Sequence, residues 1–462
     1  MEILILLVFV LGYAAIAAEH PLRIDKAATA LITGVLCWAI LVLGSSDVPA
    51  HMSEYYTNLN NFLSISEGHT LSLGEFFDHR LLHHLEDIAG ILLFLMGAMT
   101  IVEIIDAHEG FRVITDRIST RSKVRLLWIL AILTFFMSAA LDNLTTSIVM
   151  ISLLRKLIDH QKTRWFFGGM IIIAANAGGA WSPIGDVTTT MLWIGKQITT
   201  GSIISEIFLA SLMNLLVPLI VLSFVLKGQV DRPELTTSEA MQVPARERTV
   251  AFLLGVGGLL FVPIFKTLTH LPPFMGIMFS LGVLWVVTEI MHGKKIHEDK
   301  SHLSALHALR KIDMPSVLFF LGILLAVSAL QEVGHLGTMA VFLKENLNNV
   351  YAINIAIGLL SSVVDNVPLV AASMNMYAIS PAIVGDPWAD LFVQDGVFWH
   401  FLAYTAGTGG SILIIGSAAG VAVMGLEKID FLWYLKKVSL WALIGYFAGA
   451  IVYIVEMTIL KG

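Results

Sequence analysis

Charge is scarce in these 462 residues. Only 14% are Asp, Glu, Lys or Arg, against about 25% in a soluble domain, while 56% are hydrophobic. So few charges cannot cover the surface of a soluble protein of this length. The chain therefore reads as an all-α polytopic membrane protein. Cysteine is nearly missing as well: Cys37 is the one copy, which excludes an intramolecular disulfide and any cysteine metal cluster. No basic run interleaved with aromatics is present, so a nucleic-acid partner is not expected. The N-terminus lacks the basic segment of a leader peptide and carries Glu2 instead. Ala15-Ile16-Ala17 resembles a cleavage site, yet residues 3–18 read as a first transmembrane helix.

What is present is apolar sequence in windows near spanning length. They fall at residues 3–18, 28–43, 84–105, 203–226, 250–264, 273–291, 315–330 and 431–455. Four further segments are interrupted by polar residues: 126–154, 165–193, 352–377 and 397–424. A long acidic loop, residues 44–82, carries Asp47, Glu54, Glu67, Glu75 and Asp78 with one basic residue, Arg80. The next loop is the reverse, with Arg112, Arg117, Arg121, Lys123 and Arg125. Basic loops stay in the cytoplasm. Segment 126–154 has basic residues on both flanks, so it should enter and leave on one side. Its return arm, residues 144–154, reaches roughly 16 Å at helical rise, about half of a hydrocarbon core. That predicts a re-entrant helical hairpin.

The second half repeats the plan, with a hairpin at 352–377 and a broken span at 397–424. The expected organisation is a first repeat over residues 1–226 (hairpin 126–154, broken span 165–193), a cytoplasmic linker over 227–248, and a second repeat over 249–462. Each repeat has five spans and one hairpin. An odd number of crossings inverts the second relative to the first. In that topology 23 of the 28 Lys and Arg lie inside, and both termini lie outside. His292, His297, His302 and His307 recur every five residues in an inside loop, which is not the spacing of a helical zinc site.

The polar breaks carry the chemistry. An Asp inside a membrane segment costs on the order of 3 kcal/mol, and here the motif occurs twice, as Asp142-Asn143 and Asp365-Asn366. Each copy is followed by a glycine-rich break of the same spacing: Gly178-Gly179 precede Gly185 by seven and six residues, and Gly409-Gly410 precede Gly416 by the same seven and six. Two such breaks, in the same order in two apolar halves, are the pattern of a repeat-built secondary transporter. Asp142, Asn143, Thr145, Thr146, Asn176, Ser182, Asp186, Thr188 and Thr189 come from the first half. Asp365, Asn366, Thr408, Ser411 and Ser417 come from the second. Asp186 aligns with Ser417, so the third carboxylate belongs to one half only. Carbonyl, carboxylate, amide and hydroxyl oxygens make a cage suited to Na⁺ or Li⁺, seated at Asp142, Asp365 and Asp186. Neighbouring carboxylates in low dielectric do not all ionise easily, so protons and Na⁺ compete for the seat. No Lys or Arg lies at either tip or break, which argues against an anion carrier. On helix 84–105 and its inner end, Glu103 and Asp106, with His84 and Glu86 near the outer end, are candidates for a proton path or pH sensing.

These residues resemble a known family. Glu103 to Phe111, Ala140 to Thr146, Asn176 to Thr189 and Val364 to Pro368 are similar to the motifs of NhaD-type sodium/proton antiporters. That family belongs to a broad ion transporter superfamily, along with arsenite pumps and dicarboxylate and citrate carriers. The likeness runs over nearly the whole chain, and the string from Trp181 to Thr189 is its specific part. It implies exchange of Na⁺ and Li⁺ for H⁺ at alkaline pH in pH homeostasis, no cofactor beyond the transported ions, a homodimer in the lipid bilayer, and a bacterial inner membrane. It also implies that Asp142, Asp186, Asp365 and Glu103 matter for transport. The alternative reading is an arsenite or di/tricarboxylate carrier of the same architecture. An intramembrane aspartyl protease would resemble a Gly-x-Gly-Asp pattern, whereas Gly185-Asp186 is preceded by Pro183-Ile184. A transporter, not an enzyme, is expected.

Overall fold

The structure, a computed structural model, describes residues 1–17, 19–44, 56–57, 60, 72–115, 118, 120–231, 243–292, 303–379 and 386–461. Asp47, Glu54, Glu67, Arg117, His297 and His302 lie outside the described residues. The described chain is helical almost throughout, with no strand among its elements. Hydrocarbon offers backbone groups no partner, so each spanning segment must satisfy its own N–H and C=O. Eight described helices are long and apolar enough to cross a membrane: Lys26–Gly44, Leu73–Ala107, Lys123–Leu141, Thr200–Val225, Ala245–Thr269, Pro273–His292, Met314–Glu332 and the last, from Ser439. The protein is a multi-pass membrane protein.

The chain forms two compact units, and each takes helices from both sequence halves. The first comprises Met1–Leu92, Asp313–Asn348 and Ala371–Ala378. Its core is built by Ile5, Cys37, Trp38, Leu41, Phe76, Phe77, Ala329 and Val333. Lys26–Gly44 and Met314–Glu332 pack backbone to backbone: a Cβ on Gly322 would overlap the main chain at Ala30 and Leu31, and one on Gly34 would press on the Gly322 carbonyl. Small residues permit this approach where no hydrophobic force drives helices together. Trp38 Nε1 closes the contact by donating to Leu325 O at 2.9 Å.

The helix read as 84–105 begins eleven residues earlier, at Leu73. Ser72 and Glu75 start it with reciprocal bonds, Ser72 N to Glu75 Oε2 at 2.8 Å and Glu75 N to Ser72 Oγ at 3.3 Å, a capping box. Of the charges that made residues 73–82 look like loop, Glu75 caps the helix and Arg80 is paired with Glu332. Arg80 Nη2 and His84 Nε2 both reach Glu332 Oε1, at 2.7 and 2.6 Å.

The second unit comprises Leu93–Ile312, Asn349–Val370 and Ile379–Gly462. It holds both Asp-Asn motifs and both breaks. Lys123–Leu141 and Asn143–Leu157 meet at Asp142. Gln161–Ala180 and Val187–Ile194 flank the first glycine break. Val350–Leu360 leads to the second motif, which opens helix Asn366–Met376. Val397–Gly409 and Ala418–Glu427 flank the second break.

The matched glycine spacing has a physical cause. A Cβ on Gly178 would overlap Phe135 O, and one on Gly409 would overlap Gly358 O. Phe135 and Gly358 each precede their Asp by seven residues. Ser138 Oγ donates to Ala175 O at 2.6 Å, and Ser361 Oγ donates to Ala406 O at 2.8 Å. Those serines each precede their Asp by four, and those carbonyls each precede their glycine pair by three. Both copies thus use the same contacts, a helix before the Asp pressed against the helix before the break.

Other boundaries moved. The span read as 431–455 is two helices, Phe431–Lys437 and Ser439–Lys461, because Val438 leaves helical geometry at φ −120. The loop 292–313 contains helix Ala305–Lys311, and the linker 227–248 runs into helix Ala245–Thr269. Helix His335–Leu347 was not foreseen.

Candidate functional site

The polar centre of the second unit is built around Asp186. Asp186 caps helix Val187–Ile194, its Oδ1 accepting from Thr188 N at 3.0 Å. Its Oδ2 accepts from Asn143 Nδ2 at 2.8 Å and from Asn366 Nδ2 at 3.4 Å. The asparagines of both Asp-Asn motifs therefore meet at one carboxylate. Asn143 Nδ2 also donates to Asn176 Oδ1 at 3.0 Å. Asn176 Nδ2 in turn donates to Ser411 Oγ at 2.9 Å and Ser417 Oγ at 3.0 Å. This chain of bonds ties both motifs and both breaks together. None of the six side chains belongs to a residue more than 3% exposed. Among the described residues no Lys or Arg bonds to any of them.

Asp142 and Asp365 stand differently from expectation. Both are half-buried and turn back to their own helices. Asp142 Oδ1 accepts from Thr145 N and Oδ2 from Thr145 Oγ1, each at 2.8 Å. Asp365 Oδ1 accepts from Val367 N at 3.1 Å. An Asp at a helix start bends toward the free N–H groups there, and this leaves the next residue, Asn, to face the centre. Both carboxylates still lie within electrostatic reach of Asp186. Yet no three Asp, Glu, His or Cys side chains among the described residues gather closely enough to hold a metal ion together. At the centre, amides ring one carboxylate, that of Asp186.

The backbone at Asp142 has φ 76 and ψ 160, a region nearly reserved for glycine and worth roughly 1–3 kcal/mol of strain. Its two bonds to Thr145 hold it there. Asp365 does not share this conformation, so the two tips differ.

The remaining candidates separate into groups. Ser182 Oγ donates to Ala139 O at 2.5 Å and fastens the break to the first motif's helix. Thr189 Oγ1 points at Gly179 O from 3.5 Å, and Thr408 Oγ1 donates to Tyr404 O at 2.6 Å within its own helix. Thr146 is buried, and its hydroxyl has no hydrogen-bond partner among the described residues. His84 is buried on Glu332, and Glu86 is exposed. Glu103 and Asp106 interact with each other and with Lys311. Glu103 follows His84 by nineteen residues on one helix, and the two fall in different units.

Two buried carboxylates escaped the sequence reading. Glu332 closes an apolar run, which was the signal available for it. Glu427 ends the second broken helix and takes Arg155 Nε at 2.6 Å and Arg164 Nε at 3.0 Å. The basic residues Arg155 and Arg164, which follow segment 126–154, thus do structural work.

A sequence family described as citrate transporter matches residues 5–393. The chain is 44% identical to Sodium/proton antiporter 1 of Arabidopsis thaliana, over 98% of this chain and 72% of that protein. It is 43% identical to Sodium/proton antiporter 2 of the same plant, over 97% and 98%. It is 30% identical to the Na(+)/H(+) antiporter NhaD of Vibrio cholerae, over 97% and 90%.

Proposed function

The chain belongs to the NhaD-type sodium/proton antiporters of the citrate transporter family, and on that footing we propose that it exchanges Na⁺ for H⁺ across the membrane with Asp186 as the shared binding group. The observation that carries the proposal is the Asp186 carboxylate, 2% exposed and bonded to Asn143 and Asn366. An isolated buried carboxylate is costly unless something neutralises it. A proton or a Na⁺ does so, and each excludes the other. The hydroxyl oxygens of Ser411 and Ser417, with the amide oxygens of Asn143, Asn176 and Asn366 once their amides turn, would complete the hard-oxygen shell of Na⁺ or Li⁺.

Because H⁺ and Na⁺ compete, the apparent KM for Na⁺ falls as pH rises, while the maximal rate changes less. Asp142 lies within electrostatic reach of Asp186, so cation loading releases about two protons from this pair of carboxylates. Exchange is then electrogenic. Moving one net charge through 100 mV is worth roughly 2.3 kcal/mol, enough to drive Na⁺ out against a reversed proton gradient in alkaline medium.

Citrate transport, which the family description names, would more naturally offer its anion helix N-termini together with cationic or hydroxyl groups. The absence of any Lys or Arg bond to the network among the described residues counts against it. The test is dye-reported proton movement in membrane vesicles carrying the protein. Na⁺ and Li⁺ are expected to release protons across the membrane, and citrate and arsenite are not. Proton movement with citrate and none with Na⁺ would sink the proposal.

A further inference from the structure

The helix that starts at Asn143 buries two hydroxyls that nothing else in the described structure uses. Thr146 and Ser147 are both 0% exposed, and neither Thr146 Oγ1 nor Ser147 Oγ has a hydrogen-bond partner among the described residues. They follow Asn143 by three and four residues, which places all three on one helix face. The next buried residues on that helix, Met150, Ile151 and Leu154, are apolar. The buried polar face is therefore one turn long.

In the second half, the buried position that matches Ser147 is filled by an apolar side chain. Counting from Asp365 as from Asp142, the matching residues are Leu369 and Val370, and Val370 is also 0% exposed. An apolar side chain fills that position in one repeat, while the other keeps hydroxyls that are buried at a cost. A ligand that needs oxygens accounts for the difference.

We propose that Thr146 and Ser147 ligate the transported cation in a second seat, one helical turn from Asn143. This rests on the antiport reading and deepens it. Side chains three and four apart on a helix have Cβ atoms about 5–6 Å apart. A hard cation of Na⁺ size, which like Ca²⁺ takes oxygens at roughly 2.3–2.6 Å, bridges that span. The asymmetry matches that of Asp186 and Ser417: the first repeat supplies the carboxylate and the extra hydroxyls, so the second seat lies on the Asn143 side of Asp186. A cation leaving Asp186 passes to neutral oxygens that hold it less tightly, which lets a proton take the carboxylate.

The test uses the full-length protein with Thr146→Val, Ser147→Ala and both together. Transport is read in proteoliposomes, and the melting temperature in detergent is read with and without Na⁺. No hydrogen bond is lost in either change, so the Na⁺-free melting temperature should hold or rise. The rise in melting temperature on adding Na⁺ should shrink, and the apparent KM for Na⁺ should increase about tenfold in the double variant. Unchanged KM together with an unchanged Na⁺-induced shift would overturn the second seat while leaving antiport standing. Misfolding of Ser147→Ala alone would also overturn it, since the hydroxyl would then be structural. If the wild-type protein shows neither exchange nor a Na⁺-induced shift, the antiport reading itself fails, and the second seat with it.

Discussion

Asp186→Asn is expected to stop Na⁺-driven proton movement while leaving a folded protein in the membrane. The substitution keeps the shape of the side chain and one oxygen, which still accepts from Thr188 N and still caps the helix. It removes the one group at the centre that takes either a proton or a cation. Losing the charged partner of a buried cation costs on the order of 3 kcal/mol or more, about a hundredfold or greater in cation affinity. Both asparagines can turn their amides to meet the new one, so the network of Asn143, Asn176 and Asn366 survives in altered polarity. Vesicle transport and a thermal melt on the same preparation would separate the two effects. Normal exchange in Asp186→Asn would reassign the residue to structure.

Gly409→Val and Gly178→Val are expected to deplete the folded protein, and to do so alike. Each added side chain would run into a carbonyl oxygen, of Gly358 and of Phe135 respectively. Neither oxygen can retreat, because Ser361 and Ala406 in one copy, and Ser138 and Ala175 in the other, pin the same two helices together. Overpacking typically costs about 1–3 kcal/mol, and a clash with backbone belongs at the upper end or beyond. Gly407→Ala is the control. A Cβ there would have its nearest neighbour, Ala180 Cβ, at 3.5 Å, an ordinary contact. Quantifying folded protein by size-exclusion fluorescence should show both valine variants lost and the alanine variant retained. Recovery of Gly409→Val at the wild-type level would contradict the packing described for the second copy.

The glycine spacing was legible in the sequence because it records close packing, which recurs wherever the same two helices meet. The Asp-Asn pairs were legible for a related reason: a charge in an apolar segment stands out. Which member of each pair faces the centre was not legible. That depends on the cap geometry at Asp142 and Asp365, and side chains one residue apart at a helix start point in different directions. Asp186 looked like an extra carboxylate in the sequence, and only the meeting of Asn143 and Asn366 on it shows its place. The start of the helix at Leu73 was hidden by Glu75, Asp78 and Arg80, because the partner of Arg80, Glu332, is some 250 residues away. The break at Val438 has no glycine or proline to announce it. The two compact units, each drawing on both halves, follow from long-range packing that helical periodicity does not encode.

The central claim is exchange of Na⁺ for more than one proton at a site built on Asp186. The most direct measurement is ²²Na⁺ flux in proteoliposomes of purified protein, first with the membrane potential clamped to zero by K⁺ and valinomycin, then with the clamp released. The account predicts Na⁺ flux coupled to opposite proton movement and a rate that changes when the potential is imposed. Na⁺ flux that ignores the potential would make the exchange one for one and remove Asp142 from the proton cycle. No Na⁺ flux coupled to protons at any pH would contradict the account altogether.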